Sequence, residues 1–137
     1  MKNHSISLEL PDGWTDQSVF SFFGPEEGDH LHVLTLVVDP SPSESDVAEY
    51  AQVRIDQFME SMQGAEILRE GPKSLPIEAD AYEVVTKWIP TDDTVFYRRD
   101  TYLLMNGKGY TFSVNFTKKT LKTLAHEVDQ IIGSLTS

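Results

Sequence analysis

The segment HLHVLTLVVDP, residues 30–40, carries apolar side chains on both faces of the strand that it predicts. Side chains along a strand alternate between the two faces of its sheet. The two sets are Leu34, Leu36 and Val38 on one face and Val33, Thr35 and Val37 on the other. A strand with one wet face alternates apolar and polar residues instead. The segment therefore predicts a sheet whose two faces both need cover.

The rest of the chain contains strand patterns and two helix patterns. Strand patterns occupy residues 5–10, 17–23, 31–39, 81–89, 95–105 and 109–117, with a short one after Ala65. Amphipathic helix patterns occupy residues 44–63 and 118–136. Because short turns join consecutive strands, the sheet is predicted to be antiparallel. The predicted class is α+β: a twisted antiparallel sheet of about six strands with two main helices packed on it, in one domain spanning residues 1–137.

Local signals predict where these elements begin and end. Serines of the segment DPSPSES, residues 39–45, are candidate caps for the start of the first helix, and Gly64 is a candidate for its end. The dipeptide Gly71-Pro72 predicts a turn, and Asn106-Gly107 predicts a tight hairpin. The segment GPEEGD, residues 24–29, predicts a loop that could form a hairpin connection.

The charge of the chain restricts its partners. Eleven basic residues stand against 22 acidic residues, which gives a net charge of −11. This charge repels phosphate backbones and anionic lipid surfaces, so we expect neither nucleic acid nor direct membrane insertion. The sequence has no apolar run of signal-peptide length and none of the ~20 residues that a membrane span requires. We therefore expect a cytoplasmic protein.

The sequence contains few candidates for catalysis, and we predict that the protein is not an enzyme. It has no cysteine, no nucleophile elbow, no phosphate-binding loop and no metalloprotease helix. His30 and His32 share one face of a strand and could hold zinc with a third ligand such as His4 or an acidic side chain, which makes a small metal-dependent enzyme a weaker alternative. Arg98 and Arg99 point to opposite faces, and Arg98 shares its face with Asp100, a candidate ion-pair partner. The leading interpretation requires no cofactor and no metal.

The surplus of apolar strand surface has two explanations. In the first, one helix covers each face of the sheet and the molecule is a three-layer sandwich. In the second, one helix covers only part of its face and leaves an apolar groove for another chain. Ser21, Thr35 and Arg54 would then be polar contacts within that groove.

The segment LELPDGWTDQSVFSFF, residues 8–23, resembles the beginning of the Eag proteins, the effector-associated chaperones of bacterial type VI secretion. It contains Pro-Asp-x-Trp-x-Asp-Gln-Ser followed by a strand, and the order of later elements is also similar. The resemblance implies a PsbP-like α/β sandwich and a non-enzymatic cytoplasmic adaptor chaperone. Such a chaperone binds and shields the hydrophobic, transmembrane-like N-terminal helices of an effector before export, commonly as a homodimer.

The resemblance also implies a client-binding groove. Its residues in this sequence are Val19, Ser21, Val33, Thr35, Val37, Arg54, Phe58, Met62, Phe96 and Asp100. The sequence departs from the family pattern at Asp100, where a glutamine is favoured, and at Arg54, where an uncharged polar residue is expected. Whether Arg54 and Asp100 contact the client or each other is left open. A PsbP-like module that docks on an unrelated protein assembly is an alternative of a different class.

Overall fold

The computed structural model describes residues 9, 11–14, 18–27, 30–77, 79–91 and 94–135. The elements are β1 (Ser18–Glu27), β2 (His30–Asp39), α1 (Val47–Ser61), β3 (Glu66–Lys73), β4 (Asp80–Thr91), β5 (Thr94–Met105), β6 (Lys108–Phe116), α2 (Lys118–Thr123) and α3 (Ala125–Gly133). The six strands form one antiparallel sheet in the order β1-β2-β6-β5-β4-β3. The predicted α+β class is confirmed.

Helices lie on both faces of the sheet. On one face, α2 and α3 cover a large apolar core, whose buried members include Leu34, Leu36, Leu103, Phe112, Val114, Phe116, Val128 and Ile132. On the other face, α1 packs on β4 and β5. This second core is smaller and contains Tyr50, Ala51, Ile55, Val84 and Tyr102. The described elements therefore form three layers, with unequal cover on the two faces.

The two faces of β2 differ in the way that its sequence predicts. Leu34 and Leu36 are buried beneath the C-terminal helices. Val33, Thr35 and Val37 point to the α1 face and are only half-buried, because α1 packs over β4 and β5 instead. The helices cover one side of this strand fully and the other side partly.

Several predicted boundaries are confirmed. The first helix lies within the predicted range 44–63, although Asp46 caps it rather than a serine, its carboxylate accepting the Ala48 N–H at 3.0 Å. Asn106 and Gly107 join β5 to β6 with φ values of 54° and 76°, which suits a primed hairpin turn.

Other predicted boundaries are wrong. The predicted Gly71-Pro72 turn lies inside β3, and proline is tolerated there because β3 is an edge strand whose outer N–H groups need no partner. The predicted loop at residues 24–29 begins too early, since β1 continues past a register shift to Glu27, but its possible hairpin role agrees with the antiparallel pairing of β1 with β2, where Glu27 lies opposite His30. The predicted C-terminal helix is two helices, interrupted at Leu124. The strand predicted at residues 5–10 falls almost entirely outside the described residues.

Candidate binding trough

One part of the sheet has no described helix packed over it. On the α1 face, α1 packs on β4 and β5, and its Tyr50 reaches the Gly109 end of β6. No helix of the described residues covers the same face of β1 and β2, and Val19 there is 57% exposed. We call this surface the trough: its floor is the α1 face of β1, β2 and β6, and α1 forms one side wall. The floor residues include Val19, Ser21, Val33, Thr35, Val37, Thr111 and Ser113.

The strand register arranges the floor in rows across the sheet. Ser21 lies opposite Thr35, Thr35 opposite Ser113, and Ser113 opposite Asp100. We call these four residues the polar row. The neighbouring row contains Val19, Val37, Thr111 and Tyr102. A segment that lies along the strands would therefore cross the more apolar row first and the polar row next.

A cavity of about 430 Å³ lies between α1 and the floor. Its lining combines apolar and charged side chains, among them Val37, Asp39, Arg54, Phe58, Arg98 and Asp100. This combination distinguishes the wall side of the trough from the more apolar floor of β1 and β2.

Asp100 is a buried carboxylate whose charge is compensated within the chain. Its side chain is 3% exposed, and the Arg98 Nε donates to its two carboxylate oxygens at 3.1 and 3.0 Å. The Ser113 hydroxyl also donates to this carboxylate. The Arg98 guanidinium lies over the Phe58 ring at 4.5 Å and so connects the floor to the wall. The predicted Arg98–Asp100 pair is confirmed.

Arg54 has a different set of partners. Its guanidinium pairs with Asp39 and Glu44, each at 3.3 Å, and stacks on the Tyr50 ring at 3.5 Å from the centroid. Burial raises the pKa of the Tyr50 hydroxyl above its ordinary value, and the charge of Arg54 partly opposes that shift. Arg54 and Asp100 line the same cavity, but the ion-pair partners of each are other residues.

A family model described as DcrB matches residues 6–134 of the sequence. The chain belongs to the DcrB family. No curated protein matches it. Solved structures similar to this DcrB-family chain include the protein PA94 of Pseudomonas aeruginosa, with a TM-score of 0.73 and 18% identity over 95% of this chain and 90% of PA94.

Two further structures are similar to this DcrB-family chain. One is the cyanobacterial PsbP (CyanoP) of Synechocystis, with a TM-score of 0.56 and 14% identity over 91% of this chain and 82% of that protein. The other is LpqN of Mycobacterium tuberculosis, with a TM-score of 0.58 and 10% identity over 90% and 77% of the two chains. The fold of the DcrB-family chain is therefore PsbP-like, as the resemblance implied.

The DcrB-family structure brings most of the predicted groove residues together. Val19, Ser21, Val33, Thr35 and Val37 share the floor, and Arg54, Phe58 and Asp100 line the cavity beside it. The two remaining groove residues, Met62 and Phe96, lie near the ends of α1 and β5. Met62 is the C-cap of α1 and does not line the cavity, and Phe96 packs against His30 and Trp88 with ring centroids at 4.8 and 6.0 Å. Their role in binding stays a prediction.

Sequence reasoning missed the contribution of β6 to the site. Thr111 hydrogen-bonds with Tyr50, Ser113 with Asp100, and Asn115 with Trp88. These side chains alternate with buried apolar residues along β6, which was the available signal. Their proximity to the other groove residues follows from the pairing of β6 with β2 and β5, which the sequence pattern does not specify.

The two histidines of β2 make hydrogen bonds within the chain. His30 Nε2 lies 2.8 Å from the Asn115 carbonyl oxygen. His32 is buried, with Nδ1 2.8 Å from the Pro25 carbonyl oxygen and Nε2 2.9 Å from the Thr120 hydroxyl. Among the residues that the structure describes, no group of three His, Asp or Glu side chains could hold a metal ion. His4, the suggested third ligand, lies outside them.

An ion-pair network lies on the opposite face of the sheet from the trough. Arg99 is 2% exposed, and its guanidinium lies 2.9 Å from Asp129 and 3.8 Å from Glu83. Lys73 pairs with the same two carboxylates at 3.3 and 2.9 Å. The prediction that Arg98 and Arg99 point to opposite faces is confirmed, and the network links α3 to the sheet.

No described helix combines the length and the apolar character that crossing a membrane requires.

Proposed function

We propose that this chain is a non-enzymatic adaptor chaperone that shields apolar, transmembrane-like N-terminal helices of a type VI secretion effector in the cytoplasm before export. The proposal includes a homodimer as the working form and requires neither cofactor nor metal. The observation that carries it is the trough: strand surface with one exposed valine, Val19, and two half-buried ones, Val33 and Val37, adjacent to a helical wall and left open by the described helices.

The trough has the chemistry that an apolar helix needs outside a membrane. A helix of ~20 apolar residues is stable in water only when its surface is covered. A groove can supply close packing from apolar side chains and hydrogen bonds from small polar ones, as neighbouring helices do in a bilayer. The floor combines Val19, Val33 and Val37 with the hydroxyls of Ser21 and Thr35, which matches this requirement.

The charged side chains of the trough can keep their ion-pair partners when a client helix covers the floor. Burying a lone charge is expensive, whereas a charge that keeps an ion-pair partner is much less so. Asp100 keeps Arg98, and Arg54 keeps Asp39 and Glu44. An uncharged segment can therefore lie over the floor without isolating these groups.

The family membership supports the same class of function. The resemblance of residues 8–23 to the Eag chaperones implied a PsbP-like fold, and membership in the DcrB family is consistent with it. The similar structures include LpqN, which is described as involved in cell envelope biogenesis, and a cyanobacterial PsbP. Domains of this fold thus serve different systems.

A double substitution in the floor tests the proposal. Val19 and Val37 lie directly opposite each other on β1 and β2. Val19→Asp with Val37→Asp places two carboxylates where the client helix would pack, so we expect loss of the soluble form of a co-expressed reporter that carries an N-terminal apolar helix of ~20 residues. The far-ultraviolet circular dichroism should stay unchanged, because Val19 is exposed and Val37 is only half-buried.

Val53→Asp is the matched control. Val53 is an exposed valine of α1, and it does not line the cavity. We expect this variant to keep the reporter soluble at the wild-type level. Equal recovery of the reporter with the floor variant and with Val53→Asp would contradict the groove.

Partners in the cell distinguish the proposal from its alternatives. Affinity capture should recover a large protein with apolar helices at its N-terminus, and deletion of the gene should remove that protein from the type VI secretion products. Capture of an assembly without such helices would favour a docking module instead. Stoichiometric zinc in the purified protein would favour the metal-dependent enzyme on His30 and His32. Light scattering at micromolar concentration tests the dimer.

A further inference from the structure

Polar side chains on the trough floor fall into two groups. Those of β6 are hydrogen-bonded within the chain: Thr111 with Tyr50, Ser113 with Asp100, and Asn115 with Trp88. The hydroxyls of Ser21 and Thr35, in contrast, have no hydrogen-bond partner among the described residues. The floor therefore offers two open hydrogen-bonding groups, both on the side away from α1.

Ser21 and Thr35 are close neighbours. They lie directly opposite each other on β1 and β2, where side chains on the same face have Cβ atoms about 4.5–5.5 Å apart. The pairs before and after them are apolar: Val19 with Val37, and Phe23 with Val33. Ser21 and Thr35 thus form the end of the polar row away from α1, with apolar pairs on both sides of them along the strands, and we call them the hydroxyl pair below.

The occupant of the trough has to match this pattern. Because the charged side chains beside the floor already have ion-pair partners, the complementary segment is uncharged where it crosses the polar row. A wholly apolar helix would remove water from both hydroxyls and leave them without partners, which costs free energy. If the client helix has one hydrogen-bonding side chain where it crosses the polar row, that side chain takes the place of the lost water as the partner of the hydroxyls.

We propose that the hydroxyl pair selects a client helix with one uncharged hydrogen-bonding side chain, Ser, Thr, Asn or Gln, within its apolar stretch, and that this contact sets the register of the helix in the trough. The inference rests on the proposed function. It assigns Asp100 a structural role in the floor, since Arg98 and Ser113 occupy its carboxylate.

Two designed peptides test the selection. Both are 21-residue Leu/Ala helices with terminal lysines, and they differ only at the central residue, which is Asn in one and Ala in the other. Binding of each fluorescently labelled peptide to the full chain is measured by anisotropy. We expect the wild-type chain to bind the Asn peptide about three- to tenfold more tightly, the range of one net hydrogen bond.

The double variant Ser21→Ala with Thr35→Val removes both hydroxyls at nearly constant volume. It should bind the two peptides equally and bind the Ala peptide at least as well as the wild type does. Thr123→Val, an exposed threonine of α2 that lies outside the trough, is the control and should keep the preference for Asn.

The outcomes separate the inference from the function on which it rests. Equal binding of both peptides by the wild type would overturn the selection and leave the chaperone proposal standing. A preference that persists in the double variant would overturn the assignment to the hydroxyl pair. Failure of the wild type to bind either peptide would count against the trough as a helix-binding site, and the inference would fall with it.

Discussion

At the scale of single residues, Tyr50 determines how closely α1, the wall of the trough, packs on the sheet. Its ring is 1% exposed, and its hydroxyl lies against the backbone of Gly109 at the start of β6. Arg54 stacks on the ring at 3.5 Å. A Cβ atom at position 109 would overlap the Tyr50 hydroxyl, so the absence of a side chain there lets α1 approach the sheet.

Gly109→Ala is therefore expected to displace Tyr50 and to loosen α1. Forcing extra volume into a packed contact typically costs about 1–3 kcal/mol, and urea unfolding monitored by circular dichroism measures the loss. Gly71→Ala is the matched control, because nothing lies within 4 Å of the Cβ that it adds. If the two variants lost the same free energy of unfolding, Tyr50 would not be the anchor of α1.

At the scale of elements, α3 depends on buried charge as well as on apolar packing. Val128 and Ile132 pack into the core, while Asp129 of the same helix pairs with Arg99 of β5 and with Lys73 of β3. Arg99 is almost fully buried, so its removal would leave carboxylates in a poorly solvated site. The network therefore fixes the position of α3 over strands that are far apart in the sequence.

Arg99→Met is expected to destabilise the fold by about 3–5 kcal/mol, the range observed when one partner of a buried ion pair is removed. Arg69→Met is the control, since the Arg69 side chain pairs with the same Glu83 but is 67% exposed, and an exposed pair contributes at most about 1 kcal/mol. Chemical unfolding of both variants gives the comparison. A loss below about 1 kcal/mol for Arg99→Met would show that the network contributes little to stability.

Elements with strong local signals were predicted correctly, and elements that depend on their neighbours were not. The apolar stripe of α1 and the Asn106-Gly107 hairpin depend only on residues close in sequence, and the structure contains both. Gly71-Pro72 was predicted as a turn because edge position, which makes proline acceptable in β3, is a property of the whole sheet. No local signal marks the break at Leu124, since the apolar stripe continues through it.

At the scale of the whole molecule, the pH dependence of stability reports on the core beneath α1. Burial, and then the nearby Asp100 carboxylate, raise the pKa of the Tyr102 hydroxyl well above its ordinary value of 10.0. In the unfolded chain this hydroxyl ionises near pH 10, whereas in the folded chain it stays neutral to a higher pH. The stability contributed by the neutral form is fully present below pH 10 and decreases as the pH rises above it.

Tyr102→Phe removes that titration and should make the free energy of unfolding depend less on pH between 10 and 11.5 than it does in the wild type. Urea unfolding at a series of pH values is the measurement. Tyr97→Phe, on the same strand but only half-buried, is the control. Parallel pH profiles for the wild type and Tyr102→Phe would mean that Tyr102 is not the group responsible.

The sequence by itself determined the class of the fold, the faces of its strands and the surplus of apolar surface, because side-chain alternation along a strand is a local property. The same alternation places Val33, Thr35 and Val37 on one face. The tertiary structure decided which strands α1 covers, that Ser21, Thr35, Ser113 and Asp100 stand in one row, and that Arg54 and Asp100 have separate partners. These features depend on the register between strands distant in sequence and on the position of a helix over them, which no local pattern specifies.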